Sequence, residues 1–184
     1  MDALELLTQR TSTPALRAPA PSAEQVGIML DAACRAPDHG MLRPYRFLVI
    51  EGEGLAKLGE LFLAAGLKKD PELDEMAQKK LRNMPLRAPM IIVTIAVKQE
   101  HPKVPEVEQV ITAGCAAHAI VQSAFAQQLG AMWRTGAMTH NPDVREGLGV
   151  ADNEEIVGFV YLGQSLKVRA APEFDAATLA QNWG

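Results

Sequence analysis

Met90-Ile91-Ile92-Val93-Thr94-Ile95-Ala96-Val97 is a nearly unbroken run of apolar and β-branched residues. Such a run predicts a strand. It lacks the polar alternation of a strand with one wet face, so it predicts a central strand covered on both sides. Val104 to Leu129 follows as one long helix, interrupted only by the early Pro105 and by Gly114. Its middle is built from small residues, Ala113, Gly114, Ala116, Ala117, Ala119 and Ala124. These let another helix approach closely, and apolar content all round predicts full burial. With the elements around them, about six helices and four strands in mixed order, they point to an α+β fold.

The remaining elements extend outward from this centre. Asp2 caps a first helix with Leu4, Leu6 and Leu7 directed inward, ending near Arg10. Pro14, Pro19 and Pro21 exclude regular helix from 11 to 21. Ser22 and Gln25 form a capping-box pattern, and Val26, Met29, Leu30 and Ala33 carry helical spacing up to Pro37. Phe47 to Ile50 reads as a buried strand, followed by a turn at 51 to 54. Helices are expected over Leu55 to Leu67 and Pro71 to Leu81, with Gly66 and Pro71 marking the break. Gly130 is the expected stop of the long helix. Ala131 to Arg134 is a short strand, Asn141-Pro142 starts a helix that Gly147 or Gly149 ends, and Ile156 to Leu162 is the last strand. Without repeats or linkers, the 184 residues read as a single domain, 1 to 184. Its polar, Ala-rich tail from about 164 is too poor in apolar residues to fold alone and reads as an arm lying on a partner, with Trp183 as its anchor.

Composition narrows the chemistry. Apolar residues are 48%, charged residues 22%, and the net charge is −4. The acidic balance and scattered cations argue against a nucleic-acid partner. Five Phe, two Tyr and two Trp leave little for base stacking. No apolar run reaches the roughly 18 residues of a membrane span. The acidic amino-terminal segment is unlike a signal peptide. Cys34 and Cys115 are too few and too far apart for a disulfide framework and are expected as buried free thiols. A reduced, cytoplasmic protein is the expectation.

The common catalytic motifs are missing: no Gly-x-Gly-x-x-Gly, no Walker loop, no Gly-x-Ser-x-Gly. His39, His101, His118 and His140 show no metal spacing, and His118 on the small-residue helix reads as a core or interface histidine. With no nucleophile, metal site or acid–base pair in view, such a chain either is not catalytic or borrows its chemistry from a cofactor. Arg10-Thr11-Ser12 places one guanidinium and two hydroxyls in three residues, a set able to hold a phosphate. Alone it reads more readily as a solvated helix end.

Arg10-Thr11-Ser12, Arg35-Ala36-Pro37-Asp38-His39, Arg43-Pro44-Tyr45-Arg46-Phe47 and Leu129-Gly130-Ala131-Met132-Trp133-Arg134-Thr135-Gly136, in this order and at these separations, resemble the flavin-binding frame of the nitroreductase family, most closely its small bacterial members. The resemblance covers residues 1 to about 163. It implies a three-layer fold around a mixed sheet and an obligate homodimer with exchanged carboxyl-terminal arms. It also implies FMN in a cleft between subunits and hydride transfer from NADH or NADPH through the flavin to a nitroaromatic, quinone or similar acceptor. By resemblance, Arg10, Thr11 and Ser12 are phosphate and ribityl anchors, and Arg35 and His39 are ring-edge and phosphate-side contacts. Trp133, Arg134, Thr135 and Gly136 form the strand-end loop passing the ring, with backbone N–H groups toward N5 and O4. No residue is assigned a catalytic role apart from the flavin, and no metal is implied. Lys167 or Arg169 could supply later phosphate contacts. The chain departs from the family where Arg43-Pro44-Tyr45 replaces the usual Gln-Pro-Trp and Met41 replaces an Asn. Arg43 could shape the acceptor pocket toward negative substrates. Two other readings stay open: a same-fold dehydrogenase or dehalogenase, and a flavin-binding carrier or sensor without turnover.

Overall fold

The computed structural model describes residues 1–166 and 170–184. Lys167 and Arg169 lie outside the described residues. The elements run α1 (Ala3–Gln9), β1 (Leu16–Arg17), α2 (Ala23–Ala33), β2 (Tyr45–Glu51), α3 (Glu53–Lys69), α4 (Glu75–Asn83), β3 (Met90–Val97), α5 (Glu106–Ala126), β4 (Gly130–Arg134), α6 (Ala137–His140), α7 (Pro142–Gly147) and β5 (Glu154–Ser165). Short 3-10 turns stand at His39–Met41, Pro85–Arg87 and Ala176–Leu179.

β3 sits between β2 and β5, as its composition demands, and Ile91, Ile92, Val93, Ile95 and Ala96 are fully buried. β5 pairs with β3 along Met90–Val97, and with β4 and β1 farther along. The pairings among described residues are all antiparallel, so the sheet is not the mixed sheet expected.

Strand alternation divides the core in two. Met90, Ile92, Val160 and Leu162 meet α2 and α5 through Met29, Ala33, Ala117 and Ile120. Ile91, Val93, Ile95 and Phe159 meet α3 and α7 through Leu55, Leu58, Phe62 and Val144. The result is three layers, helix on sheet on helix. Ser22 and Gln25 close the capping box that starts α2, and the Asn141 side chain caps α7, both as the sequence predicts.

Several expectations fail for identifiable reasons. β2 is an edge strand rather than a buried one, and Val49 faces solvent. α1 buries nothing: Leu4 and Leu7 are 75% and 62% exposed. α5 is buried on one side only, leaving Val107 and Ile111 in solvent. Gly66 does not break α3 but lies inside it, where a Cβ would overlap Leu81 of α4. Gly130 is not the helix stop: Gln128 takes the left-handed conformation at φ 61°, and Gly130 opens β4, pressed against Leu16 and Ser165. Cys34 is exposed and Cys115 half-buried, not two buried thiols. Trp183, expected to anchor the arm on a partner rather than on its own chain, is fully exposed. No described helix is long and apolar enough to cross a membrane.

Candidate functional site

The Asp2 side chain caps α1 by accepting from Glu5 N–H at 2.8 Å. The chain leaves the helix at Arg10, extended at φ −60° and ψ 126°. Thr13 N–H then donates to Ala131 O at 2.8 Å, fastening Arg10-Thr11-Ser12 beside the start of β4. Arg10 lies near enough to His118 of α5 to act on its imidazole: partial burial first, and the Arg10 charge second, push the His118 pKa down.

At the other end of α2, Arg35 N–H donates to Ala32 O and Ala36 N–H to Ala33 O, unwinding the helix. Thr112 Oγ1 donates to Pro37 O at 2.9 Å and pins the following loop to α5. A groove of about 540 Å³ opens between these elements, lined by Leu6, Arg35, Pro37, Cys115, His118 and Gln122. Arg35 therefore lines the same groove as His118, the residue on which the Arg10 charge acts.

His39 is held by α5. Its Nδ1 lies within hydrogen-bond distance, 2.7 Å, of a carboxylate oxygen of Glu108 on α5. Glu108 carried no sequence signal, because its partner is 69 residues away.

The loop after α2 is the most strained stretch of backbone. Gly40, Met41 and Arg43 take φ values of 78°, 52° and 48°. Left-handed conformations cost non-glycine residues free energy and cluster at functional sites. Asp38 compensates by accepting from Leu42 N–H at 3.1 Å and Arg43 N–H at 2.7 Å. Arg43 lines a cavity of about 760 Å³ with Arg35, Asp31, Cys34, Met41 and Tyr45. Burial, with Cys34 and Asp38 adding to it, pushes the Tyr45 hydroxyl pKa up.

The strand-end residues split across the sheet. Trp133 faces α5, where a Cβ on Gly114 would lie 3.9 Å from its ring, and its Nε1 donates weakly to Val157 O at 3.4 Å. Gly158 is bare beneath it; a Cβ there would overlap the indole nitrogen. Arg134 projects to the opposite face, 5.3 Å from the centroid of the Tyr161 ring. Thr135 is exposed, and Gly136 takes φ 119° and ψ −163° with nothing within 4 Å of a Cβ position. Arg35 thus lines the groove beside His118, whereas the Arg134 side chain lines a different cavity on the other sheet face. Its neighbours Thr135 and Gly136 offer only backbone.

The model of the nitroreductase family matches residues 7–164, a span holding all nine expected cofactor contacts. An Escherichia coli K12 protein named "Putative NAD(P)H nitroreductase YdjA" is 46% identical over 167 residues, covering 89% of this chain and 88% of that protein. The crystal structure of a nitroreductase-like family protein from Bacillus cereus superposes with a TM-score of 0.85 at 21% identity, covering 100% of this chain and 96% of the other. A Bacteroides fragilis nitroreductase crystallised with bound FMN gives a TM-score of 0.76 at 20% identity, with both chains fully covered. By the family match and the extent of the Escherichia coli likeness, this chain belongs to the nitroreductase family.

Proposed function

We propose that the chain is an FMN-dependent NAD(P)H oxidoreductase of the nitroreductase type, acting as a homodimer. The observation that carries this reading is the 46% identity, across nearly nine-tenths of both chains, to a relative named for NAD(P)H nitroreduction. When bound, the flavin supplies a two-electron carrier that takes hydride from the nicotinamide and passes it to a nitroaromatic, quinone or similar acceptor.

The residues present fit such a group. Arg10 and Arg35 make no ion pair among the described residues, so both guanidiniums are available to a phosphate's charge. Arg10 neutralises the phosphate while Thr11 and Ser12 donate hydroxyl hydrogen bonds. Arg35 and His39 border the ring, with His39 oriented by Glu108. Trp133 underpins the strand-end loop, and the backbone N–H groups of Arg134, Thr135 and Gly136 face the ring edge. Gly136 has no side chain to hold the flavin away, and its unusual backbone aims the loop. Preorganised donors of this kind stabilise the extra electron density of the reduced ring. Arg43, in the neighbouring cavity with Arg35, favours acceptors that carry negative charge.

The dimer follows from surface that one chain leaves uncovered. Leu4 and Leu7 of α1 and Val107 and Ile111 of α5 are exposed, whereas the small residues Ala113, Ala116, Ala117 and Ala124 are already buried in the chain's own core. A second copy covers these faces, and the described residues beyond 169 form an arm that lies on it. Obligate interfaces bury more than about 2,000 Å². Light scattering together with FMN titration tests both parts. A stable dimer that takes up FMN stoichiometrically is expected. A folded monomer at micromolar concentration would refute the dimer, and failure to bind FMN would refute the flavin.

A further inference from the structure

Trp133 pairs with Val160 on the sheet face that meets α5. Gly158, two residues from Val160 along β5, shares that face. A Cβ on Gly158 would overlap Trp133 Nε1 and lie 3.0 Å from Arg134 O, so the indole and the end of β4 fill the space a side chain would take. The register of β5 against β3 shifts at this point. Thr94 faces Gly158 and Ile95 faces Ile156, which leaves Val157 without a partner. This is a β-bulge, a feature that re-aims a side chain or ends a pairing, often beside a functional site. Both effects are present. Val157 O, the carbonyl of the extra residue, accepts from Trp133 Nε1 at 3.4 Å. β4 pairs with β5 as far as Arg134 and Phe159, and the pairing stops where the bulge begins. Thr135 and Gly136 leave the sheet there, and neither N–H meets a backbone acceptor among the described residues.

We infer that the bulge at Val157-Gly158 positions the ring-side loop, with Gly158 as the positioning residue and Trp133 as the side chain through which it acts. The inference rests on the flavin reading. Gly158 leaves the notch that the indole fills, and Val157 O holds the indole's polar edge. The interrupted ladder leaves the Thr135 and Gly136 N–H groups free for the flavin. Donors fixed in advance at the ring edge favour the reduced flavin, which carries the extra electron density, over the oxidised one. The bulge therefore sets how strongly the protein prefers reduced flavin rather than whether it holds flavin at all.

The test is the midpoint potential of the bound flavin, measured anaerobically on the full chain loaded with FMN, beside the dissociation constant of oxidised FMN. Gly158→Ala displaces the indole and the loop with it. The preference for reduced over oxidised flavin should fall about tenfold, which for a two-electron couple moves the potential about 30 mV more negative. Oxidised FMN should bind nearly as tightly as before. Trp133→Phe, which cannot donate to Val157 O, should move the potential in the same direction. Adding Gly158→Ala to Trp133→Phe should move it no further, because residues that act through one contact are not additive. A loaded Gly158→Ala protein with an unaltered potential would overturn the inference. Additive shifts would overturn it too, since Gly158 would then act without Trp133. Equal weakening of oxidised and reduced FMN would mark a structural role alone and overturn it as well. If Gly158→Ala does not fold, Trp133→Phe decides, and an unaltered potential in that variant refutes the positioning. A parent chain that takes up no FMN would instead refute the flavin reading, and this inference with it.

Discussion

Replacing Gly136 by Ala separates backbone strain from steric clash at the proposed ring-side loop. A methyl group at Gly136 meets nothing within 4 Å, so no overlap opposes it. The backbone, however, is at φ 119° and ψ −163°, a region essentially closed to side-chain-bearing residues, where each such residue costs about 1–3 kcal/mol. At about 2–4 °C per kcal/mol for a chain of this size, the melting temperature should fall by about 2–12 °C. Any part of that strain the exposed loop escapes by moving should appear instead as weaker FMN binding. Gly27→Ala is the control. Gly27 lies in α2, also with nothing within 4 Å, but with a helical backbone, so alanine should stabilise by about 0.5–1 kcal/mol. The assays are thermal unfolding of both variants and FMN titration by flavin fluorescence. If Gly136→Ala melted within about 1 °C of the parent and bound FMN equally well, the loop would not be held in the conformation described, and its placement beside the ring would be wrong.

Three other outcomes are expected. Arg10→Ala should weaken FMN binding by about 1.5–3 kcal/mol, the worth of a charge-assisted partner, while riboflavin, which lacks the phosphate, should be nearly unaffected; equal losses would assign Arg10 to folding. Gly158→Ala should misplace the Trp133 indole, because the new Cβ would lie 2.6 Å from its Cδ1; overpacking of about 1–3 kcal/mol should be seen in chemical unfolding, with a shift in Trp emission. Arg46 holds Glu154 through two 2.7 Å hydrogen bonds, which, ahead of the bond from Ala151 N–H, depress the Glu154 pKa below the ordinary carboxylate value of 4.5. Because the folded value lies below the unfolded one, this stabilisation is complete above pH 4.5 and is lost as pH falls through the folded value. Glu154→Gln should therefore flatten the acid limb of a stability–pH curve, and an unaltered limb would show that the pair does not contribute.

The elements legible in the sequence were those whose signal is local. β3 announces itself by composition, and α2 and α7 by capping residues that act within three positions. β1 and α6 passed unnoticed because two and four residues carry no periodicity. α1 reads as amphipathic, yet its leucines find no cover in one chain; a hydrophobic pattern reports that a face must be buried, not by which molecule. The site shows the same division. Arg10 and Arg35 were legible through motifs; Arg35 lines the groove beside His118, and the Arg10 charge acts on that same imidazole. Glu108 was not, since it meets His39 only after α5 packs beside the loop. Nor were the left-handed Met41 and Arg43, which depend on Asp38 bonding their neighbouring N–H groups. The opposite faces taken by Trp133 and Arg134 were implicit in strand alternation once β4 was placed.

The central claim is that this chain moves electrons from a nicotinamide through bound flavin, and anaerobic mixing of the FMN-loaded protein with NADH or NADPH tests it most directly. The account predicts rapid bleaching of the flavin's visible absorbance by at least one of the two nucleotides, and its return when a quinone or nitroaromatic is added. A protein that holds FMN whose spectrum neither nucleotide changes would contradict it, and would leave a flavin-binding protein without turnover.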